Sequence, residues 1–146
     1  MYLDLLQTIR LSFQEICQGE RPWTALGNFM NDWYEYHKDR RAELIAEPLP
    51  SPEAYAAEFH KWAVFCAAST EWLCATYGVP CPGWVHASLY TLPEPWFTRG
   101  GEKIRTWLIE TTPREFSKRN IFCGNRMFLN KFETTSARKR GEPATT

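Results

Sequence analysis

Between Glu53 and Tyr77 the chain runs for 25 residues without a glycine or proline. Its apolar residues fall on two faces at helical spacing. Tyr55, Phe59, Trp62, Cys66, Leu73 and Tyr77 form one, and Phe65, Ala68 and Trp72 the other. A surface helix needs a single apolar stripe, so this pattern predicts a central helix packed on more than one side. Ser51-Pro52-Glu53 supplies an N-cap, a first-turn proline and an early acid to start it, and Gly78 ends it. The chain must therefore wrap other elements around this segment.

Two helical patterns precede it. Leu3, Leu6, Ile9, Phe13, Ile16 and Cys17 repeat at three and four, giving a helix from Leu3 to Gln18 that stops at Gly19. Pro22 and Thr24 open a second. Its inward face is Trp23, Leu26, Phe29, Met30, Trp33, Tyr34 and His37, and it continues with a bend through Leu44-Ile45 to end before Pro48. Glu47 to Pro52, with three prolines, is a linker. Val79 to Pro95 holds four prolines, yet Trp84, Tyr90, Trp96 and Phe97 are costly to leave in water, so the segment reads as ordered but irregular. A short helix follows with Ile104, Trp107 and Leu108 inward. Thr112-Pro113-Arg114-Glu115 reads as a capping box starting another, Ile121-Phe122-Cys123 as a short strand, Gly124-Asn125 as a turn, and Arg126 to Phe132 as a short helix. The fold class expected is mainly α: a single helical-bundle domain over residues 1–133, followed by a disordered basic tail over 134–146.

Aromatic content is high, with 7 Trp, 9 Phe and 6 Tyr in 146 residues, which supplies ample core material for one domain. No run approaches the roughly 20 apolar residues of a membrane span, and Met1-Tyr2-Leu3-Asp4 lacks the basic start of a secretory signal. Five scattered cysteines, an odd number, favour reduced thiols and a cytoplasmic location over a disulfide framework. The net charge of zero hides an asymmetry: residues 1–98 carry 6 Lys and Arg against 12 Asp and Glu, and 99–146 carry 11 against 5. Such a split serves either a partner surface or attraction within the fold.

Motifs for nucleotide, nucleophile and zincin chemistry are absent, so no catalytic centre or cofactor is assigned. His60, Cys66, Cys74, Cys81 and His86 are zinc-ligand types, but no Cys-x-x-Cys knuckle occurs and three of them spread around one helix. His37, His60 and His86 lie in separate segments without an evident catalytic partner. The denser signal is basic. Arg114, Lys118, Arg119, Asn120, Asn125, Arg126 and Lys131 are interleaved with Phe116, Phe122, Phe128 and Phe132. Basic side chains between aromatics suit phosphates and bases, while phenylalanines at helical spacing suit a core beneath a solvated face.

The segment Glu94-Pro95-Trp96-Phe97, a helix, then Pro113-Arg114-Glu115-Phe116-Ser117-Lys118-Arg119-Asn120-Ile121-Phe122 resembles a bacterial domain of unknown function. Arg41 to Pro48 and Tyr77 to Val85 share the likeness, which runs from about Trp33 to Phe132. In that family the domain often follows an Xre-type helix-turn-helix, in antitoxin-like regulators encoded beside nucleotidyltransferase-like proteins. Residues 1–30 are too short for a helix-turn-helix domain, so DNA binding is not carried over, and the resemblance assigns no residue a role. It implies a partner-binding or ligand-sensing module. The expected function is thus a non-enzymatic interaction module that binds a protein, such as a nucleotidyltransferase-like toxin, through Trp96, Arg114, Lys118, Arg119, Asn120 and Arg126. The alternatives are nucleic-acid binding by the same cluster, or an enzyme pocket lined by Trp84, His86, Trp96 and Arg119.

Overall fold

The computed structural model describes residues 6–128. The glycine-free run does become the central element, α4 (His60–Tyr77), preceded in the chain by α1 (Ile9–Cys17), α2 (Pro22–Asn31) and α3 (Arg41–Ile45). After it come α5 (Glu102–Thr111), α6 (Arg114–Ser117) and two strands of two residues, β1 (Trp96–Phe97) and β2 (Ile121–Phe122). The described chain is a single, mainly α domain. Every residue of α4 from Ala63 to Thr70 is buried. The two buried hydroxyls return to the helix itself, Ser69 Oγ donating to the Phe65 carbonyl (2.7 Å) and Thr70 Oγ1 to that of Cys66 (2.9 Å). α1, α6 and a 3₁₀ turn at Gly83–His86 pack around α4, and α2 packs on α1. Gly78 ends the helix in the left-handed conformation (φ 68°).

Four expectations are corrected, one by a local cap and the others by tertiary packing. α1 begins at Ile9, because Thr8 Oγ1 accepts the Leu11 amide (3.0 Å) as an N-cap and the Asp32 carboxylate accepts the Gln7 amide (2.9 Å). The second helix is broken, not bent. Beyond Asn31 it widens into a π-helical turn, Asp32–Tyr36, which lets the adjacent side chains of Trp33 and Tyr34 both enter the core. His37 (φ −135°), just before the 3₁₀ turn Lys38–Arg40, and Arg40 (φ −124°), its last residue, then leave helical space. The Arg41 side chain holds this break, donating from Nε to the Trp33 carbonyl (2.8 Å) and lying 4.6 Å over the Tyr77 ring.

Ser51-Pro52-Glu53 opens only a 3₁₀ turn, Pro52–Ala54. Tyr55 and Ala56 are extended, since the Tyr55 ring meets Phe13 edge-on at 4.9 Å and its hydroxyl bonds His60 Nδ1 at 2.9 Å. Nor does the capping box form at α6. Thr112 Oγ1 donates back to the Leu108 carbonyl and accepts the Gly124 amide at 2.8 Å, tying the end of α5 to the chain after β2.

The proline-rich segment is ordered without long regular elements. The Trp84 indole donates to the Ile45 carbonyl (2.9 Å), Tyr90 and Leu92 are buried, and β1 pairs in parallel with β2. Trp96 lies opposite Ile121 and Phe97 opposite Phe122. The expected helix at Arg126–Phe132 falls largely, and the tail at 134–146 wholly, outside the described residues; Met127 and Phe128 form a turn.

Candidate functional site

The structure divides the six residues singled out from the sequence. Arg119 is 3% exposed and donates to three acceptors: Glu71 Oε1 (2.6 Å), the Glu115 carbonyl (2.7 Å) and the Val85 carbonyl (2.9 Å). Asn120 takes a left-handed backbone (φ 67°), donates from Nδ2 to the Leu92 carbonyl (2.6 Å) and offers its own carbonyl to the Trp96 amide (2.8 Å). Asn120 therefore holds the fold, and the three Arg119 bonds do the same while its side chain also lines a small surface cavity. Lys118 is exposed and pairs with Glu71 at 2.7 Å. Burial would raise the Glu71 carboxyl, but hydrogen bonds and charge from Lys118 and Arg119 hold it below its ordinary value. Arg114 and Arg126 are exposed and form no ion pair among the described residues.

Trp96 belongs to a surface that the sequence pattern did not disclose. Trp23 from α2, Trp62 from α4 and Trp96 from β1 stack edge to face, with ring centroids 5.4 Å and 5.1 Å apart in turn. Lys61 lies 5.1 Å over the Trp96 ring, and Trp23 is 51% exposed. Beside Trp23 opens a groove of about 240 Å³, lined by Leu26, Gly27, Met30, Tyr34 and Phe128 among others. Gly27 lines it, with no heavy atom within 4 Å of where its Cβ would stand. The Tyr34 hydroxyl donates to the Phe128 carbonyl and fixes the far wall. Trp23 and Trp62 read as core from their spacing, because periodicity tells which face a residue shares but not whether anything covers it.

Compared with family models, curated proteins and solved structures, the chain matches nothing. Trp84 donates to the Ile45 carbonyl, Arg119 to that of Val85 and Asn120 to that of Leu92, while the Trp96 amide donates to the Asn120 carbonyl, so distant segments of the chain are tied to one another.

The other candidate groups are dispersed. Both ring nitrogens of His60 have partners, the Tyr55 hydroxyl and the Leu89 carbonyl (2.8 Å), and His37 Nδ1 stands 3.2 Å from Asp32. Among the described residues no three His, Cys, Asp or Glu side chains are placed to hold a metal ion. Trp84 and Trp96 do not line the pocket that His86 and Arg119 share, so the expected four-residue enzyme pocket is not assembled. Burial pushes the Cys74 and Cys123 thiols up to about 12 and raises Cys66 further, which keeps all three protonated and poorly nucleophilic. No helix among the described residues is long and apolar enough to cross a membrane.

Proposed function

We propose that the chain is a non-enzymatic, cytoplasmic interaction module that binds a protein partner through its tryptophan surface. One observation carries the reading: three tryptophans from three separate elements converge at the surface beside an apolar groove. Tryptophan is enriched among the residues that dominate binding energy, and a half-exposed ring next to a pocket suits such an anchor. The partner presents an apolar side chain, leucine or aromatic, to the groove. Arg126, immediately before the groove-lining Met127, supplies charge nearby. The family resemblance makes a nucleotidyltransferase-like toxin the first partner to test and the module antitoxin-like.

Affinity purification from the native host at moderate salt, with nuclease applied to half the sample, tests the proposal alongside a Trp23→Ala variant. The expected result is a stoichiometric protein that survives nuclease and is lost from the variant while its helical circular dichroism is unchanged. Retention by Trp23→Ala overturns the reading. Material that comes down with nucleic acid and loses it on treatment puts the exposed Arg114 and Arg126 at the centre instead.

A further inference from the structure

A second cavity, of about 140 Å³, lies between the 83–92 segment and the end of α6. Its walls include His86, Ser88, Thr91, Lys118 and Arg119. A guanidinium carries five N–H donors, and the three bonds to Glu71, Glu115 and Val85 leave two of them without an acceptor among the described residues. Arg119 is almost wholly buried yet lines the cavity, and its Nε, which makes none of the three bonds, is not sealed from solvent.

The charges point the same way. Lys118 and Arg119 share one carboxylate, Glu71, so the cluster keeps one net positive charge. Ser88 and Thr91 are exposed residues on the cavity wall, so their hydroxyls are open to solvent and available to a ligand there. A buried guanidinium, an ammonium and two hydroxyls around a small space make a donor set for an anion with several oxygens.

We propose that this pocket binds a small tetrahedral oxyanion of the phosphate class, with Arg119 as its central donor and Lys118, Ser88 and Thr91 around it. Ser88 and Thr91 belong to the 83–92 segment and Lys118 and Arg119 follow α6, so the anion cross-links the two. The site is separate from the tryptophan surface, and neither assignment depends on the other.

The test titrates the full chain with inorganic phosphate at constant ionic strength, read by isothermal calorimetry and by thermal unfolding. A saturable one-to-one heat and a rise in Tm that chloride does not reproduce are expected, since a ligand of the folded state stabilises it. Lys118→Met and Ser88→Ala leave the three Arg119 bonds intact, and each is expected to weaken binding about tenfold, the equivalent of about 1.4 kcal/mol. Phenyl phosphate run in parallel distinguishes the source. Tighter binding than inorganic phosphate identifies a phosphomonoester ligand, and weaker binding identifies the free anion. Absence of a saturable heat, an equal effect of chloride, or unchanged phosphate binding in both variants overturns the proposal.

Discussion

Replacing Glu71 with glutamine removes the one carboxylate that faces both Lys118 and the buried Arg119. Breaking a buried pair by removing one member leaves the other charge uncompensated, so Glu71→Gln is expected to cost about 3 kcal/mol in denaturant unfolding. The same group sets a pH dependence. Its folded pKa lies below the ordinary 4.5, so its contribution is complete above that value and is lost as the pH falls through the lower folded pKa. Unfolding temperatures measured from pH 7 downwards should fall more steeply below about 4.5 in the wild type than in Glu71→Gln. Asn120 gives a second residue-scale test, because its left-handed backbone and its bond to Leu92 are separable. Alanine loses the bond and meets the full left-handed penalty, whereas glycine loses only the bond. Asn120→Ala should therefore be less stable than Asn120→Gly by about 1 kcal/mol in urea titration.

At the scale of elements, α1 and α4 show how far local signals reach. The stripe Ile9, Phe13, Ile16 is buried as its spacing implies, but the start of the helix is set by the Thr8 cap. Thr8→Ala should cost about 1 kcal/mol, measured by chemical denaturation. Thr112 shows a local signal overruled. Its hydroxyl could cap α6, yet it bonds Leu108 and receives the Gly124 amide, and so joins α5 to the end of β2. Gly124 sits at φ 78° with the Trp107 ring 2.7 Å from where a Cβ would stand. The broken second helix follows the same logic. Its apolar residues are periodic throughout, but burying Trp33 and Tyr34 side by side requires a π-helical turn that no spacing rule announces.

For the whole molecule, α4 is the hub on which α1, α6 and the Gly83–His86 turn pack, and the segments after it are tied in through single side chains. Hydrogen exchange should therefore be slowest across Ala63–Cys74, approaching the global unfolding free energy, and faster across residues 86–95, where few backbone groups are paired. An exchange profile in which 86–95 is as protected as α4 would contradict this hierarchy. The sequence by itself determined the mainly α class, the buried central helix, the glycine stops and the ordered character of the proline-rich run. These depend on periodicity, proline and glycine, which act within a few residues. Tertiary structure alone decided that Arg119 and Asn120 serve the fold, that the second helix breaks at Asp32–Tyr36, and that Trp23, Trp62 and Trp96 meet at the surface. The reason is physical: a buried donor takes whichever acceptor the packed chain brings within 3 Å, and that acceptor lies 34 residues away for Arg119 and 28 for Asn120.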